Sequence, residues 1–306
     1  MGQTVPVPVV QARNLVKRYG STVALDGVDV DIGSGITGLL GANGAGKTTL
    51  LGLILGLHPV DDGELRVLDR DPRLAGPEVR ALLGYAPEHH TLPPDVPAAS
   101  FVRHIAELHG LPREDATTRA SDALWLVGLG EERYRALGTM STGQRQRVKL
   151  AQAIAHDPGL ILLDEPTDGL DPVQRDDMLA LIRRIATEFG IDVIVSSHLL
   201  DEVERICDAA VILGDGRLLA AGTIDELRGR GQGVLVEVEG DSRELVADLE
   251  RAGLVVRPDG RRLVVEGPDD SVFDHVRDGI ARHDLSLVRL SHRRLSLEDV
   301  YLERVA

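Results

Sequence analysis

A chain of 306 residues, 43% hydrophobic and 27% charged, exceeds one typical domain and has the composition of an ordinary globular protein, which excludes a fibrous or disordered chain. The formal net charge of -15 argues against a phosphate-backbone binder, whose affinity rests on clustered Lys and Arg, so no nucleic-acid partner is expected. The single cysteine, Cys207, leaves no intramolecular disulfide or multi-cysteine metal site and is read as a small buried apolar residue in a reducing compartment.

At the N-terminus no basic region runs into an apolar stretch, so no secretion signal is expected. Val10 to Val16, and then Val28, Val30 and Ile32 alternating with Asp29 and Asp31, predict a half-buried antiparallel sheet. An apolar strand from Ile36 runs into a glycine-rich loop, and the helix after it is predicted to continue to about Leu57, where His58-Pro59 stops it. Leu50 to Leu57 is the longest apolar stretch there, well short of the roughly 18 residues of a spanning helix, so no segment is expected to cross a membrane. Strands at Leu82 to Ala86, Leu160 to Leu163 and Ile191 to Ser196, separated by helical periodicity, predict a parallel sheet with crossover helices. Residues 96–155 lack a strand pattern and read as a helical insertion with Phe101 and Trp125 in its core. Gly229-Arg230-Gly231-Gln232-Gly233 is read as a break. Beyond it the predicted elements are strand (Val234 to Val238), helix (Arg243 to Ala252), strands (Leu254 to Arg257 and Leu263 to Glu266), helix (Val272 to Arg282) and strand (Leu285 to Leu290). That is the order of a ferredoxin-like split βαβ domain. The expected fold is therefore α/β, with a core domain over 1–230 and a small α+β domain over 231–306.

Gly41-Ala42-Asn43-Gly44-Ala45-Gly46-Lys47-Thr48, with Thr49 behind it, has the phosphate-binding loop pattern in the context its mechanism demands, after a strand and opening a helix. Glycines let successive backbone N–H groups point at a β-phosphate, the helix N-terminus adds its dipole, Lys47 reaches the β- and γ-phosphates, and Thr48 holds Mg2+. Lys47 is conspicuous as one of three lysines, with Lys17 and Lys149. A glycine-rich turn that merely joined strand to helix would not need Lys-Thr directly after it. Leu160 to Glu165 is an apolar strand ending in two carboxylates, so Asp164 is expected to orient the Mg2+ shell and Glu165 to take a proton from the attacking water. His198 directly follows another apolar strand, which places its imidazole at the carboxyl edge where ligands bind in α/β sheets. Asp171-Pro172 reads as an N-cap with proline at the first helical position, opening a helix that Gly190 closes.

With these residues in place, the chain resembles the nucleotide-binding subunit of an ATP-binding cassette (ABC) transporter over roughly residues 8 to 225. Met140-Ser141-Thr142-Gly143-Gln144 resembles the family's LSGGQ signature, which a generic P-loop kinase lacks. The resemblance implies ATP sandwiched between two head-to-tail protomers. Ser141, Gly143 and Gln144 then serve the partner's ATP, Tyr19 stacks on adenine, and Asp171 couples the two sites. Two departures stand out: Thr142 replaces a glycine of the signature, and in Leu83 to Glu88, which resembles the loop that contacts the membrane partner, Glu88 replaces a commoner glutamine, its carboxylate still able to orient Mg2+ or water. His89 and His90 read as loop residues. The tail, Ser296 to Leu302, resembles the extra C-terminal domain of bacterial exporter ATPases. The resemblance implies a Mg2+-dependent ATPase, working as a homodimer with a separate transmembrane permease at the cytoplasmic face of the membrane. Alternatives are a soluble ABC ATPase of translation or DNA repair, an importer ATPase, and a small-molecule phosphotransferase.

Overall fold

The computed structural model describes residues 8–88, 92–228, 230–260, 262–267, 271–294, 296–298 and 300. His89 and His90, and Asp299, Tyr301 and Leu302 of the tail segment, lie outside the described residues. The chain divides between Ile224 and Asp225 into two compact units.

The first unit begins with β1 (Val10–Tyr19), β2 (Thr22–Ile32), β3 (Ile36–Leu40), α1 (Lys47–Ile54), β4 (Asp62–Val67), α2 (Gly76–Arg80) and β5 (Leu83–Ala86). It continues through α3 (Ala98–Leu108), α4 (Arg113–Leu126), α5 (Thr142–Ile154), β6 (Leu160–Asp164), α6 (Pro172–Phe189) and β7 (Asp192–Ser197). It closes with α7 (Leu200–Ile206), β8 (Ala209–Gly214) and β9 (Arg217–Thr223), and α8 (Ile224–Arg228) spans the division between the units.

The alternation read in β2 is real: Val28, Val30 and Ile32 are at most 4% exposed, while the aspartates between them face water. Burying each such side chain contributes roughly 1.5–3 kcal/mol, so a register slip that turned the row outward would forfeit all three. β1 lies between β2 and β4 in an antiparallel sheet. The main sheet has the order β5-β6-β7-β3-β8-β9, parallel except for β9 at its edge.

Helix α1 stops at Ile54, short of the expected Leu57. Gly56 adopts φ +65°, its N–H reaches the Leu53 carbonyl at 2.9 Å, and the Leu57 N–H reaches that of Gly52 at 2.9 Å. This pair of bonds is a Schellman cap, so glycine ends the helix before His58-Pro59 can. Helices α3, α4 and α5 fill the region expected to be helical, and Phe101 is buried there. Trp125 is not: it is 67% exposed, because α4 turns Ala116, Ala120, Ala123 and Leu124 inward and leaves position 125 off that face. The Arg133 guanidinium sits 6.0 Å from the Trp125 ring centroid instead. Cys207 is buried, which pushes its thiol pKa up.

Just past α5, His156 is 8% exposed and stacks on His109 with ring centroids 3.6 Å apart. Its Nε2 lies 3.0 Å from the Leu83 carbonyl, so that nitrogen carries the proton and donates, and Nδ1 has no partner among the described residues. Burial, then the neighbouring His109, push the His156 pKa from 6.5 down to about 4. A base with a depressed native pKa is protonated more readily in the unfolded chain, so this group's contribution is complete above pH 6.5 and is lost as pH falls toward 4. The shift corresponds to roughly 3 kcal/mol at the acid limit and about 2 kcal/mol by pH 5. His156→Gln, which retains an amide donor and cannot protonate, is expected to flatten the loss of stability between pH 7 and 5. Denaturant unfolding of the two proteins at both pH values measures it, and identical pH dependences would remove His156 as the cause.

The second unit comprises β10 (Arg230–Glu239), α9 (Arg243–Arg251), β11 (Val255–Asp259), β12 (Arg262–Glu266), α10 (Ser271–Arg282) and β13 (Ser286–Arg294). Its sheet has the order β11-β12-β10-β13, with every neighbouring pair antiparallel, the arrangement of a split βαβ sheet. The glycine-rich stretch read as a break is largely strand: β10 begins at Arg230, and Gly233, at φ +104°, sits in a register shift against β13. A Cβ at Gly233 would come 2.3 Å from the Val265 carbonyl oxygen, so a side chain there would collide with β12. Asp248 joins the two helices, accepting from Arg282 and His283 at 2.7 Å each and pairing with Arg251. Leu297 and Val300 of the tail segment are buried.

Candidate active site

Four neighbouring parallel strands, β5, β6, β7 and β3, end on one edge of the main sheet. They deliver, side by side, Glu88, the Asp164-Glu165 pair, His198 and the glycine-rich loop. A cleft of about 370 Å³ on this edge is lined by Ala42, Asn43, Gly44, Gly46, Lys47, Thr48, Thr49, Glu88, Asp164, Glu165 and His198. Ala24 and Asp168 line it as well, two positions the sequence reading did not assign to the site.

The loop is shaped by glycines that nothing larger could replace. Gly46 adopts φ +105°, and a Cβ there would stand 2.8 Å from the Ala24 carbonyl oxygen. Gly41 abuts the Leu213 carbonyl, 2.5 Å from where its Cβ would be. Gly41 and Ala45 therefore stand behind the loop, the Ala45 methyl packing in the core, while residues 42–44 are exposed. Helix α1 begins at Lys47 with no side-chain cap, which leaves first-turn N–H groups to an anion. Lys47, 7% exposed, donates from Nζ to the Gly41 carbonyl at 2.7 Å, inside the loop that it would bring to a phosphate.

Asp164 is 4% exposed and accepts from the Ser196 hydroxyl at 2.5 Å. That same hydroxyl and the Ser196 carbonyl both receive the Glu165 N–H at 3.2 Å, so β7 fixes the end of β6. Glu165 is held at φ +47°, in the left-handed region that costs a side-chain-bearing residue of order 1–3 kcal/mol. Its Oε2 faces His198 Nδ1 at 2.9 Å, the nitrogen donating to the carboxylate. Burial pushes the Glu165 pKa up, and the hydrogen bond and charge of His198, followed by Lys47, oppose the rise. A carboxylate with raised proton affinity is one that can take a proton from water.

Glu88 is anchored through its backbone: buried Lys149, on α5, donates to the Pro87 and Glu88 carbonyls at 3.1 and 2.7 Å. Tyr85 between these carboxylates has its phenol pushed up to about 12, by burial and then by Asp164 and Glu88. Hydroxyl and carboxylate oxygens from Thr48, Asp164 and Glu88 make a donor set suited to a hard divalent cation that also takes phosphate oxygens, so the residues fit Mg2+.

The remaining predicted residues lie elsewhere. Ser141, Gly143 and Gln144 line a separate cavity with Arg147, Leu170, Gln174 and Met178. There the Gln144 N–H donates to the Ser141 hydroxyl at 3.2 Å, and the Ser141 N–H donates back to the Gln144 side chain at 3.1 Å. Met140 to Gln144 is thus also a capping box that starts α5, a Ser-x-x-Gln pattern legible in the sequence. Asp171 caps α6 through the Gln174 N–H at 2.9 Å, and Gly190 ends that helix in the left-handed conformation. Tyr19, at the end of β1, is 44% exposed and meets the His58 ring edge-on.

Residues 25–168 match the family described as ABC transporter. The chain is 32% identical to the Nod factor export ATP-binding protein I of Cupriavidus metallidurans, across 96% of each protein. It is 34% identical to the linearmycin resistance ATP-binding protein LnrL of Bacillus subtilis, across 72% of this chain and 71% of the relative. Among solved structures, the dimeric post-hydrolysis state of the ATP-binding cassette MJ0796, bound to ADP and Pi, superposes with a TM-score of 0.62 at 25% identity. That match covers 70% of this chain and 98% of the cassette.

Proposed function

The chain belongs to the ABC transporter family of ATP-binding proteins, and on that premise we propose that it is the ATPase subunit that drives export through a separate transmembrane permease. The observation that carries the reading is the meeting of Lys47, Asp164, Glu165 and His198 in one cleft, fed by adjacent strand ends. In this reading the loop amides and Lys47 grip the phosphates. Glu165 takes the proton of the attacking water, and His198 keeps the Glu165 carboxylate turned toward it. Mg2+, held by Thr48 and Asp164 with Glu88 alongside, would neutralise phosphate charge when bound.

Two copies are needed. Ser141, Gly143 and Gln144 stand in a cavity apart from the cleft, at the N-terminus of α5, and a second chain packed head to tail would bring them to the phosphate. Tyr19 then meets adenine, and Asp171 links the two sites. In this assignment residues 1–230 are the motor and 231–306 an accessory domain.

Export is favoured over import by the two relatives named for export and resistance, and by the tail segment Ser296 to Leu302. Among the described residues no helix is long and apolar enough to cross a membrane, and in this reading the membrane-spanning part is a separate permease, with this chain bound to it at the cytoplasmic face of the membrane. Affinity purification from detergent-solubilised native membranes is expected to recover a protein with several apolar segments of about 20 residues each. Recovery of ribosomal proteins in its place would favour a translation ATPase, and a soluble extracytoplasmic binding protein in the complex would favour import.

A further inference from the structure

We propose that Glu202, on α7, is a positioning residue that sets the Glu165–His198 contact by clamping the segment after Glu165 and the residue before His198. The inference rests on the assignment of Glu165 and His198 above and extends it to a group outside the cleft.

Glu202 is 2% exposed, a carboxylate in a place where an unpaired one would be costly. Its Oε2 accepts the Thr167 hydroxyl at 2.8 Å and the Ser197 hydroxyl at 3.1 Å. Its Oε1 faces the Arg175 guanidinium, on α6, at 3.2 Å in an ion pair. Thr167 lies two residues after Glu165, and Ser197 is the residue before His198. The Ser197 hydroxyl also receives the Leu199 N–H at 3.0 Å, so both backbone neighbours of His198 are tied to one oxygen. The same carboxylate therefore fixes the chain on either side of the 2.9 Å contact between Glu165 and His198. Glu165 has need of such support, because its φ of +47° is not one that an isolated strand end would hold.

A misplacement near 1 Å can cost a reaction as much as roughly 100-fold in rate without disturbing ligand affinity. Glu202→Leu is therefore expected to lower kcat for ATP hydrolysis roughly 10- to 100-fold while Kd for ATP stays within about twofold. Thr167→Val, which removes only the donor, should lower kcat several-fold at unchanged Kd, and Thr167→Ser, which keeps it, should restore the rate. In a Glu165→Gln background, Glu202→Leu should cost nothing more, since it acts through Glu165. The proposal is overturned if Glu202→Leu and Thr167→Val both retain kcat within twofold. It is also overturned if Thr167→Ser is as slow as Thr167→Val, or if Kd rises in step with the fall in kcat. If Glu202→Leu does not fold, the two Thr167 variants decide alone. An inactive wild-type protein would refute the ATPase assignment itself, whereas an active wild type with indifferent variants refutes only the clamp.

Discussion

Glu165→Gln is expected to lower kcat for ATP hydrolysis roughly 10²- to 10⁴-fold and to leave nucleotide bound. The amide matches the carboxylate in size and can still face His198, so the cleft keeps its shape, but it cannot take a proton from water. The wild-type carboxylate is suited to the role by two opposed influences: burial raises its proton affinity, and the hydrogen bond from His198 opposes that rise. With chemistry blocked and binding intact, a protein that closes two copies around ATP should accumulate as the closed dimer. Phosphate release under saturating Mg2+ and ATP reads the rate, and light scattering with and without ATP reads the mass. Turnover within tenfold of wild type would take the base assignment from Glu165, and a monomer that stayed monomeric with ATP bound would remove the two-chain sandwich.

The parts of this site that could be read in the sequence are those whose chemistry sits in contiguous residues. The glycine-rich loop with Lys47 and Thr48, the apolar strand ending in Asp164-Glu165, and the strand preceding His198 each announce a local structure and a charge together. The sheet order is different in kind: β7 lies between β6 and β3 through pairings that span the chain, such as Asp164 opposite Ser196, and nothing local specifies them. For the same reason Ser196 and Glu202 could not be foreseen. Ser196 is one polar residue at the end of an apolar run, and Glu202 sits among Asp201 and Glu204 on a short helix that reads as solvated. Other misses were legible. Gly214-Asp215-Gly216-Arg217 carries a two-residue hairpin signal, and Asp215 and Gly216 take φ +46° and +75° between β8 and β9. Gly56 likewise marks the end of α1 more surely than the proline beyond it. Trp125 misled because size alone suggested burial, whereas the helical spacing of the alanines around it determined which face turned inward.

Lys47→Ala is expected to act on binding where Glu165→Gln acts on chemistry. A buried ammonium donating to phosphate oxygens makes charge-assisted hydrogen bonds of roughly 1.5–3 kcal/mol, so its loss should weaken ATP affinity about 10- to 100-fold. Nζ also donates to the Gly41 carbonyl at 2.7 Å, an acceptor within the protein itself. Removal of the lysine side chain should leave the fold standing: the Ala42 carbonyl beside it belongs to the exposed residues 42–44 and can turn to water, and the buried Gly41 carbonyl, losing one donor, costs at most roughly 1–3 kcal/mol. Titration of the variant with ATP and Mg2+ gives the change in Kd directly. In thermal unfolding, the rise in Tm that ATP confers on wild type should largely disappear, since stabilisation follows the ratio of ligand to Kd. An unchanged Kd would mean that the backbone amides alone grip the triphosphate, whereas a lowered Tm in the absence of nucleotide would mean that Lys47 also braces the loop. The two substitutions divide the cleft between grip and chemistry only if the first moves Kd while the second moves kcat.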